Sequence, residues 1–371
     1  MEKAVEASSQ EGVQQQTCDQ CGAKVDFAPG TSVLRCPYCG HETPIAQAGS
    51  MIAELDYRAF LTKAGDEKES DEVQRVKCDK CGAETTMPPE SAAGTCPFCG
   101  ANMVFVGSVS RWIKPEAVLP FKITKKDSVD GFRRWIRGLW FAPGDLKKHA
   151  ESEGTLAGVY VPYWTYDSDT TTSYSGERGD HYYTTENYTV VENGKTVVRT
   201  RQVQHTRWTQ AAGTVYNSFD DILVLASRSL PKKYADSLEP WDLPNLVPYS
   251  DEYISGFRAE SYQVSLPEGF EAAKQAMAPA IDTSIRQDIG GDEQRIHSTQ
   301  TQYGQIKFKH ILLPVWLSAY RFRDKIFRIL VNARTGEVQG ERPYSGWKIA
   351  GAVFLGIVLV GIIILIASLK Q

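Results

Sequence analysis

Two stretches of the chain decide how it is organised: CDQCGAKVDFAPGTSVLRCPYCG at residues 18–40 and CDKCGAETTMPPESAAGTCPFCG at residues 78–100. Each stretch holds two Cys-x-x-Cys pairs separated by fourteen residues, and every cysteine of the second follows its counterpart in the first by 60 residues. Two thiolates from one tight turn can reach a single ion at about 2.3 Å, and two such turns complete a tetrahedron. The pattern predicts two tandem zinc ribbons.

All eight cysteines are ligands in this interpretation. The first ribbon spans residues 17–45 and the second spans residues 77–106. The predicted ligands are Cys18, Cys21, Cys36 and Cys39 in the first ribbon and Cys78, Cys81, Cys96 and Cys99 in the second. Four sulfurs leave no open position for water, so we expect two structural Zn²⁺ ions rather than catalytic ones. Thioredoxin-like redox pairs and iron–sulfur ligation are the alternatives for the same cysteines.

The apolar run near the end of the chain is the next strongest signal. IAGAVFLGIVLVGIIILIASL, from Ile349 to Leu369, has 21 residues without a charge. As a helix it is about 31 Å long, which matches the hydrocarbon thickness of a bilayer. It predicts a single-pass tail anchor within residues 346–371, with Trp347 and Lys348 at one interface; a buried apolar hairpin is the alternative. Because residues 1–16 contain no apolar signal segment, we expect the bulk of the chain on the cytoplasmic side of the cell membrane.

The segments around the first ribbon carry weaker patterns. Residues 1–16 are polar and without periodicity, which predicts a disordered lead-in. Within residues 46–76, Met51–Ala64 has apolar residues near helical spacing, and Gly65–Glu72 is rich in charge. We expect a short helix and then a flexible linker between the ribbons.

Residues 107–345 form the largest region, and their short β-rich runs predict an α+β domain. Two helices are expected, one beginning with Asp127 or Ser128 as N-cap and ending before Pro143, the other running from Pro267 to Ile289. Strands are predicted over Leu119–Thr124, Val159–Tyr166, Tyr188–Val191, Thr196–Arg199 and Ile326–Val331, the third and fourth joined by the Asn193-Gly194 turn.

Two parts of this region look alike. LPFKIT, a helix and then VYVPYWTYD are echoed by YQVSL, a helix and then ILLPVWLSAY. Trp164 and Trp316 each stand two residues after a proline. The pattern predicts a duplicated unit with halves at residues 117–255 and 256–345. Chance recurrence of Pro-x-Trp in buried strands is the alternative.

Charge argues against nucleic acid as the main partner. The formal net charge is -4, and each ribbon has three acidic against two basic side chains. Neither ribbon therefore has the basic surface that phosphate contact requires. Basic clusters do occur at Arg133, Arg134 and Arg137 and at Arg321, Arg323, Lys325 and Arg328. Solvated faces explain these clusters as well as a phosphate or lipid-headgroup site does.

The sequence carries no recognised catalytic motif. Its one Gly-Lys-Thr, from Gly194 to Thr196, lacks the first glycine of a phosphate-binding loop and lies in a predicted hairpin. The alternative is a catalytic acid–base group formed by Asp167, Asp169, Asp180 and His181. Polar residues scattered along the chain without a catalytic role explain the same pattern. We expect a protein that is not an enzyme.

The motifs CPYCG and CPFCG around LDYRAFL, with the late run LPVWLSAYRFRDKIFRILVNARTGEVQGERPYS, resemble a bacterial family of C-terminally anchored double-zinc-ribbon membrane proteins. Members of that family are often called primosomal-helicase-like or TFIIB-type zinc-ribbon proteins. The resemblance covers most of the chain. It implies a scaffold role in envelope stress, with phage-shock-type or flotillin-like (SPFH) membrane proteins as partners. Helicase activity does not follow, because it requires a phosphate-binding loop that this sequence lacks.

These patterns favour a non-enzymatic adaptor that recruits protein partners to the cytoplasmic face of the membrane. The ribbons are expected to be its docking modules, and two modules on one chain would allow bivalent capture. A membrane-tethered nucleic-acid-binding protein is the alternative function.

Overall fold

The computed structural model describes residues 16–46, 52–63, 70–86, 93–104, 108–143, 156–192, 195–322 and 325–369. The predicted disordered lead-in, apart from Gln16, lies outside the described residues, as does the Asn193-Gly194 turn.

Short antiparallel strands form the two ribbons. The first contains β1 (Asp26–Phe27), β2 (Val33–Arg35) and β3 (Glu42–Pro44), paired in that order. It is followed by β4 (Leu55–Asp56) and helix α1 (Tyr57–Lys63). In the second ribbon, β5 (Ser70–Lys77) pairs with β6 (Glu84–Thr86) and β9 (Ser108–Ile113), while β7 (Ala93–Thr95) pairs with β8 (Asn102–Val104).

The helix predicted over Met51–Ala64 is wrong in its first half. β4 is extended and pairs with a strand at Phe308, so tertiary pairing overrides the local helical spacing there. The carboxylate of Asp56 accepts a hydrogen bond from the Ala59 N–H at 2.6 Å, as an N-cap does, and the helix begins at Tyr57.

The charged linker predicted over Gly65–Glu72 is wrong over its last three residues. Ser70–Glu72 already belong to β5, which pairs with β9 from Ser70 onward. Charge density alone therefore did not indicate flexibility, because backbone pairing with β9 orders this part of the segment. The preceding residues 65–69 lie outside the described part of the chain.

The α+β region contains the remaining elements apart from the last helix, which follows it. They are β10 (Ala117–Val118), α2 (Lys125–Gly138), β11 (Ala157–Glu192), β12 (Lys195–Leu225), α3 (Lys232–Asp236), a 3-10 turn (Leu243–Asn245), β13 (Val247–Pro248), α4 (Asp251–Ile254), β14 (Arg258–Ala259), α5 (Leu266–Ile289), β15 (Glu293–Phe322), β16 (Lys325–Asn332) and β17 (Val338–Gly340), and the helix that follows is α6 (Gly346–Leu369).

Three long strands form the centre of the main sheet. β11 lies between β12 and β15 and is antiparallel to both. Helix α5 packs on one face of these strands through residues at helical spacing, among them Phe270, Met277 and Ile285. The predicted bounds of this helix are correct to one residue, because Ser265 caps its start and Gly290 follows its end.

Two predictions at the start of the region need correction. The N-cap of α2 is Thr124, whose hydroxyl accepts the Asp127 N–H at 3.2 Å, and not Asp127 or Ser128. The strand predicted over Leu119–Thr124 does not form. β10 ends just before it, and of the predicted residues Leu119 still bonds to β15, through its N–H to the Leu312 carbonyl at 2.9 Å. Pro120 has no N–H to donate to a ladder, and the N–H groups of Lys122 and Ile123 both donate to the Ala333 carbonyl instead.

Matching hydrogen bonds relate two halves of this region. β10 runs parallel to β15, and β14 runs parallel to β11. After each short strand, two successive N–H groups donate to one alanine carbonyl: Lys122 and Ile123 to Ala333, Gln263 and Val264 to Ala226. The N–H groups of those alanines donate in turn to Pro314 and Pro162.

The two tryptophans occupy equivalent positions and exchange bonds between the halves. The indole N–H of Trp164 donates to the Val264 carbonyl at 2.9 Å, and that of Trp316 donates to the Ile123 carbonyl at 2.8 Å. Each acceptor lies just before the helix of the other half. The halves are therefore interlocked, since each strand supports the helix entry of its counterpart.

Helix α6 follows β17 and is long and apolar enough to cross a membrane. Its Gly346–Ile364 part has a mean hydropathy of 2.4 and is not buried against the rest of the protein. Within the described part of the chain it is the one helix with these properties. It agrees with the predicted span Ile349–Leu369 and extends three residues further towards the N-terminus.

We predict that Trp164→Phe and Trp316→Phe each lower the free energy of unfolding by about 1–3 kcal/mol, because each leaves a backbone carbonyl without its indole donor. Chemical denaturation of the detergent-solubilised chain measures the effect. Trp140→Phe is the matched control, since that side chain is 80% exposed and its loss should change stability little. Equal stabilities for the control and both core variants would contradict the interlocked arrangement.

Candidate metal centres

The four Cys-x-x-Cys-Gly turns share one backbone geometry. In each turn, the carbonyl of the first cysteine accepts a hydrogen bond from the N–H of the glycine four residues later. The N–H of the same cysteine donates to the carbonyl of the residue after that glycine. The N···O distances of these bonds are 2.7–3.0 Å. The glycines Gly22, Gly40, Gly82 and Gly100 have φ between 70° and 75°. Side chains with a Cβ rarely adopt this conformation. The glycine therefore lets the chain turn sharply while both sulfurs point to one centre.

The sulfurs gather into two groups of four. In the first group Cys18 and Cys39 are 3.5 Å apart, as are Cys21 and Cys36. In the second group Cys78 and Cys99 are 3.6 Å apart, and Cys81 and Cys96 are 3.7 Å apart.

These separations decide between a disulfide and a metal site. A disulfide bond is about 2.05 Å long. Sulfurs placed at about 2.3 Å around a tetrahedral ion lie about 3.8 Å from one another. The structure therefore brings together both predicted ligand sets in a form that fits two zinc ions.

The two centres differ in exposure. In the first, Cys21 and Cys39 are exposed, and the neighbouring Tyr38 is 82% exposed. In the second, Cys81 is half-buried and the other three cysteines are buried. One centre thus faces solvent and the other is enclosed by protein.

The acidity of the thiols follows their surroundings. The backbone N–H of Cys39 donates to the Cys36 sulfur and lowers the pKa of that thiol to about 6. Burial raises the pKa of the Cys81 thiol to about 11 and raises that of the Cys96 thiol as well. Several thiolates close together in a buried site need a counter-charge, which a bound metal cation supplies.

The first ribbon shares a core with the α+β region. Phe27 packs edge-on against Tyr253, with ring centroids 5.4 Å apart. Its N–H donates to the Ser255 carbonyl at 3.0 Å, and the Gly30 N–H donates to the Phe121 carbonyl at 2.9 Å. This ribbon is therefore a fixed part of the fold rather than a tethered module.

The second ribbon closes another part of the same sheet. Phe98, between Cys96 and Cys99, is fully buried in a cluster with Leu119 and Val161. Its carbonyl accepts a hydrogen bond from the Arg328 guanidinium at 3.0 Å. The expectation that the ribbons are separated by a flexible linker is thus wrong, because both ribbons are packed onto the α+β region, while a docking role for them stays a prediction.

The packing of the ribbons was missed from the sequence, although a signal was present. Val25, Phe27 and Leu34 lie between the ligands of the first ribbon and are buried. Apolar residues in so small a module exceed what the metal site itself can cover, so they indicate a neighbouring surface. Read in that way, they predict a ribbon that packs against a partner domain.

Among the described residues, the remaining candidate groups do not form a comparable site. Glu54, Asp167 and Asp220 come together, but Lys309 makes ion pairs with Glu54 at 3.4 Å and with Asp221 at 2.7 Å. Lysine charge thus offsets part of the negative charge of this cluster. The acid–base group considered from the sequence does not assemble either. Asp167 and Asp180 lie on one strand thirteen residues apart, about 43 Å along it.

Comparisons with known proteins give one similarity over nearly the whole chain. The uncharacterized protein YdjG of Bacillus subtilis (strain 168) is 26% identical over 362 residues, covering 93% of this chain and 96% of that protein. No protein-family model matches the chain. No solved structure matches it either.

We predict that the two centres release metal at different rates, with the exposed centre faster by about ten-fold or more, equivalent to about 1.4 kcal/mol of barrier. A chelator with a metal-sensitive dye, added to the detergent-solubilised chain, should show two phases of equal amplitude. Cys39→Ser should remove the fast phase, and Cys96→Ser should remove the slow one. Release in a single phase would contradict the assignment of the fast phase to the first centre and the slow phase to the second. Loss of the slow phase in Cys39→Ser would contradict it as well.

Proposed function

We propose that the protein is a membrane-anchored zinc-ribbon adaptor and that a projecting β-hairpin is its docking element. The hairpin, called the arm below, consists of residues 180–192 of β11 and 195–207 of β12. The observation that carries the proposal is the exposure of this ordered arm, which has no third strand and no helix packed along it among the described residues.

The arm begins where the three-stranded part of the sheet stops. β15 starts at Glu293, opposite Gly179 of β11, while β11 and β12 remain paired from Asp180–Arg207 to Glu192–Lys195. Thirteen paired residues extend about 43 Å. The arm is held at its base, because the His181 N–H donates to the Asp292 carboxylate at 2.6 Å.

The surface of the arm suits contact with protein. Tyr183 is 60% exposed, Val191 is 72% exposed and Val198 is 64% exposed. Alternation along the strands places ten side chains without formal charge on one face. These are Tyr183, Thr185, Asn187, Thr189 and Val191 of β11 with Thr196, Val198, Thr200, Gln202 and Gln204 of β12.

The open edges of the arm add a second means of recognition. Beyond Gly179 neither strand has an outer neighbour among the described residues, so backbone N–H and C=O groups along both edges are available to a further strand. An extended segment of a partner protein could pair there. The phage-shock-type and flotillin-like proteins implied by the sequence resemblance are the first candidates to test.

Charge favours protein over nucleic acid at this site as well. The arm carries three acidic and four basic side chains, which leaves it near neutrality. Each ribbon also has more acidic than basic residues. Strong phosphate binding depends on a concentrated positive surface. Nucleic-acid binding is therefore the alternative function, which the experiment below distinguishes from protein binding.

Anchoring in the proposal rests on α6. A helix whose apolar side chains are exposed on all sides in water requires another apolar environment, and lipid provides it. Arg342 and Lys348 precede the apolar stretch, and basic residues collect on the cytoplasmic side of spans. We place the arm and both ribbons in the cytoplasm.

We predict that shortening the arm removes partner binding and leaves the fold intact. Residues 184–203 are replaced by Asn-Gly, which closes the hairpin on the Tyr183–Gln204 pair. The variant should keep two metal ions and its membrane location. Protein recovered by mild cross-linking and affinity purification from membranes should fall about ten-fold, equivalent to about 1.4 kcal/mol.

Tyr38→Ala is the matched control, because Tyr38 is 82% exposed on the first ribbon and lies outside the arm. It should recover the same proteins as the parent chain. If the shortened variant keeps these partners while Tyr38→Ala loses them, the ribbon is the docking element and the arm is not. Recovery of nucleic acid, in amounts that fall with salt and without a protein partner, would favour the alternative function.

The topology makes a separate prediction. Protease added to intact cells should leave both ribbons uncut, whereas protease added after permeabilisation should cleave them. Alkaline extraction of the membranes should leave the full chain in the pellet. Cleavage in intact cells would reverse the proposed orientation, and release by alkali would show that α6 does not span.

A further inference from the structure

Exposed aromatic side chains surround the start of α6. Trp347 is 90% exposed and Tyr344 is 58% exposed. From a different part of the chain, the turn that ends α2 adds Trp140, which is 80% exposed, and Phe141, which is 39% exposed. Large aromatic residues exposed together mark a surface that meets another phase or another molecule.

Hydrogen bonds fix the turn beside the start of α6. The Lys348 ammonium donates to the Trp140 carbonyl at 3.2 Å and to the Ala142 carbonyl at 2.8 Å. The Ser345 N–H donates to the Phe141 carbonyl at 2.8 Å. The turn is therefore held level with the residues at which the apolar helix begins.

The same end of α2 is basic. Arg133, Arg134 and Arg137 lie in its last two turns, and all three are exposed. The acidic residues of the helix are Asp127, next to its N-cap, and Asp130, which lies 3.5 Å from the Arg133 guanidinium. Positive charge therefore prevails at the end of the helix that adjoins α6.

We propose that the end of α2 and the turn after it form a lipid-binding surface for an anionic phospholipid bilayer. Trp140 and Phe141 enter the interfacial layer, where an aromatic ring can bury its apolar body and keep polar atoms hydrated. Arg133, Arg134 and Arg137 contact lipid phosphates, which guanidinium groups bind in a bidentate manner.

A bilayer is the occupant that the position selects. The surface is continuous with α6 through the bonds of Lys348, and the proposal rests on α6 spanning the membrane. A protein in the membrane then presents this surface directly to lipid headgroups. Basic charge next to a span attracts anionic lipids. The α+β region would thereby be seated on the membrane as well as tethered to it.

Quenching of tryptophan fluorescence by brominated lipid tests the proposal. The full chain is reconstituted in vesicles of phosphatidylcholine with phosphatidylglycerol, the phosphatidylcholine being brominated near the glycerol end of its acyl chains. We expect Trp140→Phe to reduce the quenched fraction. Trp208→Phe should leave the quenched fraction unchanged, because Trp208 lies far along the sheet from α2. Trp208 pairs with Gly179 of β11. Trp316, whose indole bonds to Ile123 just before α2, pairs with Gly158 of the same strand, twenty-one residues or about 70 Å away along it.

Charge variants complete the test. Arg133→Gln, Arg134→Gln and Arg137→Gln together should reduce quenching of Trp140 in the anionic vesicles. Lys125→Gln with Lys126→Gln, at the other end of the same helix, is the matched control and should not. The proposal is overturned if Trp140→Phe leaves quenching unchanged or if the triple variant keeps the full effect of Trp140.

Failure of anchoring would be recognised separately. Trp347 lies on α6 itself, so Trp347→Phe reports the position of that helix. If alkaline extraction releases the chain and Trp347→Phe leaves quenching unchanged, α6 does not span and both proposals fail. The other outcome is a chain that resists extraction and in which Trp347 is quenched but Trp140 is not. The anchoring by α6 then holds, and the proposal of a lipid-binding surface is overturned.

Discussion

The antiparallel pairing of β11 with β15 is the contact on which the rest of the structure depends. Near one end of this ladder lies the pair Val161–Leu313, about which the two halves are arranged, and both side chains are buried. At its outer edge, β11 pairs with the short parallel strand β14 and with the antiparallel strand β12. In the same way, β15 pairs at its outer edge with the short parallel strand β10 and with the antiparallel strand β16. Without this central pair of strands, neither tryptophan could reach the backbone of the opposite half.

The ribbons depend on this sheet, and the sheet is covered by the ribbons. The first ribbon packs around Phe27, and the second packs around Phe98 on a different cluster. Metal binding in such an arrangement stabilises more than the small modules, because the apolar residues that each site positions belong to the main core. The docking role expected of the ribbons passes in our proposal to the arm, along which no part of the described chain packs in this way.

The parts of the structure that the sequence predicted are those with local physical causes. Both ligand sets follow from cysteine spacing, the bounds of α5 follow from its apolar periodicity and caps, and α6 follows from an uninterrupted apolar run. The length of β11 was not predictable in this way. From Thr170 to Thr189 the strand is rich in Thr, Ser and Tyr, and part of it has no buried face to impose alternation. The failure of Leu119–Thr124 as a strand had a distant cause, since the N–H groups of Lys122 and Ile123 donate to the Ala333 carbonyl.

The exchange of bonds between Trp164 and Trp316 means that neither half is complete by itself. A single half contains one indole donor and one carbonyl acceptor that are not bonded to each other. A local twofold axis through the Val161–Leu313 pair brings the two halves together so that both groups are satisfied. Because both halves belong to one chain, their meeting does not depend on protein concentration, as it would for two separate copies.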